Sequence, residues 1–459
     1  MKRFITILIL ICINFCHASE IVILHTSDTH GRISPIEYNH QQDMGGLSKR
    51  VKIFNDEKEN NENILLLDSG DVFQGSIYYK YDKGKLNSKL LRYLHYDAIA
   101  LGNHEFDDGI KILKRNIKLS KTTFISSNIH FKNKYLNKHV KPYITKEING
   151  EKILIIGATT QSVKSLSKTN KMEVTVTDPV YEIKKIINNN KYDKLILLSH
   201  CGIDEDRIIA DSIPQIDLIL GGHNHLFFDK PEYENNVPII QDGEFGVRTA
   251  KISLDNGIKN YEKICMNSSY TGDEKIDKII SKTENKIKKH RNMIVAETKI
   301  KLIGNQYTIE HNQTNLGKLV LISMAKPFKD YDVVLTNSGS IRINKNLSDK
   351  ITYADLLEML PFDNKIVMVE LQGKYLKQCL HDGSIQTNRR YLQVYLKNQN
   401  IDDKKIYKVI TNDYIASGKD GYTSFLHGRI VKRINEKPVK LLYKTIKEMK
   451  IITEENLKF

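Results

Sequence analysis

Ile64-Leu65-Leu66-Leu67-Asp68-Ser69-Gly70-Asp71-Val72-Phe73-Gln74-Gly75 joins a run of apolar residues to a glycine–aspartate pair and then to a second glycine. The run has the length and composition of a strand buried on both faces, as in a parallel sheet covered by helices. Four other stretches share that grammar. Ile21-Val22-Ile23-Leu24 leads to Asp28-Thr29-His30, Ala98-Ile99-Ala100-Leu101 to Gly102-Asn103-His104-Glu105, Leu195-Ile196-Leu197-Leu198 to His200, and Leu218-Ile219-Leu220 to Gly221-Gly222-His223-Asn224-His225. In α/β sheets, ligands collect in the crevice past the carboxyl ends of the strands. The five strand ends are therefore expected to bring Asp28, His30, Asp71, Asn103, His200, His223 and His225 together.

The residue types decide the chemistry. Carboxylate and amide oxygens with imidazole nitrogens suit divalent zinc, manganese or iron, whereas a structural zinc site more often recruits thiolates. Cys201, beside His200, is the one cysteine near the clusters. Two ions roughly 3.5–4 Å apart need a bridging carboxylate and an open position each. Asp71 is the natural bridge, with Asp28, His30 and His225 on one ion and Asn103, His200 and His223 on the other. A hydroxide held between them is a nucleophile near neutral pH, and the charges neutralise phosphate oxygens. Hydrolytic phosphoryl transfer is the implied reaction. Any one cluster alone reads as a turn cap; the set of seven does not. His104 and Asp107 are not needed as ligands, so they read as a catalytic pair that stabilises charge on the transferring phosphate or its leaving oxygen.

These residues resemble a family. Asp28-Thr29-His30-Gly31, Gly70-Asp71-Val72-Phe73-Gln74-Gly75, Gly102-Asn103-His104-Glu105-Phe106-Asp107 and Gly221-Gly222-His223-Asn224-His225 look like the motifs of the secreted 5′-nucleotidase and UDP-sugar hydrolase family of calcineurin-like metallophosphoesterases. Asn337-Ser338-Gly339-Ser340-Ile341-Arg342, Leu360-Pro361-Phe362-Asp363-Asn364 and Gly418-Lys419-Asp420-Gly421-Tyr422 resemble its nucleotide-binding C-terminal domain. The resemblance implies an α/β, two-domain chain, an N-terminal metallophosphoesterase βα sandwich joined by a helix to a C-terminal mixed α+β domain. It makes Phe362 and Tyr414 aromatic plates that stack on a base, with Asn364 and Asp420 bonding base edge and ribose, and it adds Asn337 and Arg342 to the substrate-binding set. Stacking between aromatics is a sequence-tolerant way to hold a nucleoside.

Length and composition set the boundaries. The 459 residues suffice for two domains with full cores. Lys2-Arg3, the apolar stretch from Phe4 to Cys16 and His17-Ala18-Ser19 have the form of a secretory signal too short to span a bilayer. Residues 1–18 are read as that signal, 19–270 as the catalytic domain, 271–296 as a linker helix and 297–459 as the substrate-binding domain. An exported protein, periplasmic or extracellular and with no later spanning segment, is expected. The net charge of +15 falls to +13 once Lys2 and Arg3 leave. That charge steers anionic substrates, but the lysines are dispersed and no nucleic-acid motif accompanies them, so a nucleotide is the expected partner rather than nucleic acid. Of the five cysteines, Cys201, Cys265 and Cys379 would remain, an odd number that allows at most one bridge.

Between the motifs, residues 85–95 place Leu86, Leu90, Leu91 and Leu94 on one helical face as a βαβ crossover. Residues 273–293 read as an amphipathic connecting helix with few obvious anchors, which would suit the rotation of one domain against the other that the resemblance implies. Val333-Val334-Leu335-Thr336 and the run from Ile366 to Leu371 read as strands, the second feeding a helix through Gly373. One departure bears on the substrate. Gln306 and Glu310 stand where the family usually has phosphate-gripping arginines, ahead of Asn315-Leu316-Gly317, so either Lys301 or Lys318 compensates or the preferred substrate has less terminal charge. A 5′-nucleotidase is the leading expectation. The alternatives are a 2′,3′-cyclic-nucleotide phosphodiesterase, a nucleotide-sugar hydrolase or a sulfur-ester hydrolase on the same scaffold. A non-enzymatic surface-binding protein would not require all seven ligands.

Overall fold

The computed structural model describes residues 20–165, 173–384 and 391–459; the expected signal segment lies outside them. Each of the five apolar runs forms a strand: Ile21–Thr26, Ile64–Asp68, Ala98–Ala100, Lys194–His200 and Leu218–Leu220. The first three run parallel, side by side, in a seven-stranded sheet. The last two are parallel neighbours in a six-stranded sheet.

The two sheets pack face to face. Ile21, Ile23, Leu65 and Leu67 of the first share one buried cluster with Ile153, Ile155, Ile196 and Leu198 of the second. The period of two along a strand sends the alternate residues outward. Leu24 and Leu66 meet the helices Leu47–Asn60 and Ile110–Ser120, while Leu195 and Leu197 meet Pro179–Asn188 and Ile203–Ser212. This is the expected βα sandwich. The expected 85–95 helix ends early, at Leu91, and Leu94 is buried from the following turn.

Residues 294–459 build a second α/β unit around a mixed five-stranded sheet, in the order Leu392–Leu396, Val333–Asn337, Ile406–Asn412, Ile366–Gln372, Arg429–Ile434. Helices Asn315–Ala325 and Pro438–Met449 cover one face and Gly373–Asp382 the other. The connecting helix runs Glu274–Arg291, capped by the Asp273 side chain, which accepts the Ile276 N–H. It is not loosely anchored. Ile276, Ile280 and Ile287 are buried in the core of the first domain, and Glu284 accepts hydrogen bonds from Tyr78 and from Ser34 Oγ at 2.8 Å. The apolar stripe was legible; the side chains it meets come from distant segments. Cys201, Cys265 and Cys379 are all free.

Candidate metal centre and interdomain cleft

The strand ends deliver their side chains through tight, unusual backbone. Asp28, His30, Asp71, His223 and His225 have φ of 51°, 47°, 54°, 77° and 60°, in the left-handed region that non-glycine residues seldom adopt. A glycine is required at position 102, because a Cβ there would lie 2.1 Å from Asp71 Oδ1. Close approach, rather than turn formation, explains that residue.

The donors converge. Asp28 Oδ1 lies 3.3 Å from His225 Nε2, and His30 Nε2 lies 3.2 Å from His225 Nε2. His200 Nε2 lies 3.1 Å from Asp71 Oδ2 and 4.0 Å from Asp28 Oδ1. Asp28, His30 and His225 form one group with ligand atoms within 4.8 Å of one another, and Asp28, Asp71 and His200 form another. His104 falls in a third such group with His30 and Asp71. His223 stands edge-on to His200, with ring centroids 5.2 Å apart. Asn103 Oδ1 and His200 Nε2 are buried without a hydrogen-bond partner; the contact of His200 with Asp71 is close but misaligned. Buried polar atoms are rarely left so. Orphaned donors of these types fit divalent cations.

The protonation states of four of the donors agree with that fit, whereas Asp71 outweighs burial at His200 and pushes its imidazole up to about 10, holding a proton that a bound cation would displace. Burial opposes ionisation of Asp28, but His225 outweighs it and holds the carboxyl at about 2. Asp71 is likewise kept low against burial by His200 and His104. Burial, then the neighbouring His225, brings His30 to about 3; burial, then His200, brings His223 to about 4. Ionised carboxylates and neutral imidazoles are the forms that bind cations.

Buried partners orient these donors. Ser69 carbonyl accepts from His200 Nδ1 at 2.6 Å, and Glu244 pairs with His225 Nδ1. Glu105 accepts the N–H groups of Asp71 at 2.9 Å, Gly102 at 2.7 Å and Phe73 at 3.2 Å, tying two ligand loops together. His104 pairs through Nδ1 with Asp107 Oδ2 at 2.7 Å, and its backbone N–H donates to Asp71 Oδ1 at 2.8 Å. Burial disfavours the imidazolium, yet Asp107 and Asp71 outweigh it and push His104 up to about 9.

The second domain faces this centre. Phe362 stacks against the His104 ring at 5.7 Å between centroids, and the Arg342 guanidinium lies 5.4 Å from the Phe362 centroid. A cleft of about 390 Å³ between the domains is lined by Phe362, Asn364 and Tyr414 from one side and by Gln74, Tyr79 and Asp107 from the other. At its edge Tyr414 Oη donates to Asp420 Oδ1 at 2.8 Å, and Asn337 Nδ2 donates to Asp420 Oδ2 at 2.9 Å. Gln306 Nε2 donates to Glu310 Oε1 at 2.7 Å on the helix Gln306–His311. Lys301 and Lys318 are exposed and do not line the cleft. Glu244 went unread in the sequence, although Val237–Ile240 is one more buried strand whose end could have pointed to it.

Buried strands thus deliver a cluster of cation donors to one cleft, the setting of metal-dependent hydrolysis. Residues 21–227 match the calcineurin-like phosphoesterase family, and 294–397 and 390–427 match the 5′-nucleotidase C-terminal domain. The chain belongs to the calcineurin-like phosphoesterases that carry this C-terminal domain. It is 26% identical to the human 5′-nucleotidase over 96% of this chain and 91% of that one. It is also 26% identical to a trifunctional nucleotide phosphoesterase of Bacillus subtilis over 88% of this chain, but spans only 32% of that longer protein. The fold superposes on a 5′-nucleotidase precursor from Thermus thermophilus with a TM-score of 0.81, at 24% identity, over 95% of this chain and 97% of that one.

Proposed function

We propose that this chain is an exported 5′-nucleotidase that releases phosphate from nucleoside 5′-monophosphates at a two-metal centre. The observation that carries the reading is the placement of Phe362 and Tyr414 in a cleft that opens beside His104 and the donor cluster. A nucleotide is long enough to reach from one to the other. Asp28, His30 and His225 would hold one divalent ion and Asn103, His200 and His223 the other, with Asp71 between. Such ions supply a water of lowered pKa and neutralise phosphate oxygens. His104, protonated and held by Asp107, donates to the phosphate or to the leaving oxygen. Phe362 and Tyr414 hold the base, Asp420 the ribose, and Asn337 fixes Asp420. Asn364 reaches the base edge, and Arg342 meets phosphate.

Phe362→Ala and Tyr414→Ala are each expected to weaken nucleoside binding by roughly 1–3 kcal/mol, the range for one stacked base. Michaelis constants for AMP and for p-nitrophenyl phosphate check this. Equal losses on both substrates would indicate damaged packing and remove the base-holding role.

The Gln306–Glu310 pair favours a second reading, hydrolysis of a phosphodiester or nucleotide-sugar, whose scissile phosphate carries less charge. Two charge-assisted hydrogen bonds worth about 1.5–3 kcal/mol each are missing for a terminal phosphate. Glu310→Arg is expected to lower the Michaelis constant for AMP more than that for a 2′,3′-cyclic nucleotide. A wild-type enzyme that already prefers AMP, with no gain from the substitution, would discard the second reading.

A further inference from the structure

The lysines of the interdomain cleft are not equivalent. Lys83 pairs with Asp108 at 2.8 Å, and Lys365 Nζ donates to the Asn435 carbonyl at 3.3 Å. The cleft's carboxylates are engaged as well. Asp107 is held by His104, Asp363 accepts from Lys437 at 2.6 Å, and Asp413 accepts the Lys365 N–H at 3.0 Å. Lys80 differs: half-buried on the helix Ile77–Asp82, it lines the cleft with no hydrogen bond or ion pair from its side chain among the described residues. Burial pushes its ammonium below the usual lysine range; Asp363 and Asp108 pull the other way, and Lys83 and Lys437 add to the fall.

A half-buried ammonium that no side chain of the cleft pairs is a natural contact for an anionic ligand. Lys80 lines the same cleft as the aromatic plates Phe362 and Tyr414, which the nucleotidase reading assigns to the nucleoside, and as Asp107 on the catalytic side. The anion assigned to Lys80 is one carried on the nucleoside. We propose that Lys80 forms an anion subsite of the nucleoside cleft, and that the enzyme favours nucleotides bearing a second phosphate on the ribose. This rests on the nucleotidase reading and names its substrate class.

Kinetics on the full metal-loaded enzyme test it. Michaelis constants are measured for AMP and for adenosine 2′,5′- and 3′,5′-bisphosphate, in wild type, Lys80→Ala and Lys80→Arg. One bisphosphate is expected to show a Michaelis constant about ten- to a hundred-fold below that of AMP, the range of one charge-assisted hydrogen bond. Lys80→Ala should erase that ratio and Lys80→Arg should keep it. Turnover of p-nitrophenyl phosphate reports whether each variant is folded, and the arginine variant carries the test if alanine is not tolerated. No wild-type preference for either bisphosphate, a preference that survives Lys80→Ala, or one that a folded Lys80→Arg variant loses overturns the subsite. A wild type whose aryl-phosphate turnover no adenine nucleotide inhibits overturns the nucleotidase reading, and this inference falls with it.

Discussion

Asp71→Asn is expected to lose essentially all hydrolysis and much of the bound metal. The amide has the shape of the carboxylate, and its oxygen can keep the His104 N–H bond now made at 2.8 Å. What disappears is the charge. Asp71 is buried, and its carboxyl is held low against that burial by His200, His104 and His30. Asparagine leaves those imidazoles without their anion, and both proposed ions without their shared ligand. Metal content by elemental analysis, measured beside turnover, separates this from unfolding. Two bound ions per chain with most activity kept would make the bridging role wrong.

His104→Ala is expected to lower turnover roughly a hundred- to a thousand-fold, the usual cost of one preorganised donor to a developing charge, with metal content near normal. Its imidazole is tied to Asp107 at 2.7 Å, so the ring is oriented before substrate arrives. The same ring stacks on Phe362, so the Michaelis constant for nucleotides should rise as well. His104 also has ligand-grade proximity to His30 and Asp71. Loss of an ion in the variant would therefore make it a ligand, and unchanged turnover would remove it from catalysis.

The centre was legible because its residues sit at the ends of buried apolar strands, a relation that survives in one dimension. Asp28, Asp71, Asn103 and His223 each announce themselves by a strand and a glycine or turn beside it. The supports were not legible on the same terms. Glu105 stood inside a quoted motif, yet only the fold makes it the acceptor for backbone N–H groups on two loops. Glu284 looks like any solvated charge on an amphipathic helix until Tyr78 and Ser34 arrive from elsewhere. Lys80 sits inside the short tyrosine-rich helix Ile77–Asp82, and the sequence alone gives no hint that the other domain faces it across a cleft. Contacts between residues far apart in the chain depend on tertiary packing, which periodicity does not encode.

The left-handed backbone at Asp28, His30, Asp71, His223 and His225 sets a limit on engineering. Each of these residues costs on the order of 1 kcal/mol relative to a glycine in the same conformation. A directed-evolution campaign scored on heat resistance alone would thus be drawn to glycine at the very positions proposed to hold the ions. Stabilised descendants of this enzyme should be sought in its helices and surface loops, with activity kept in the selection from the first round.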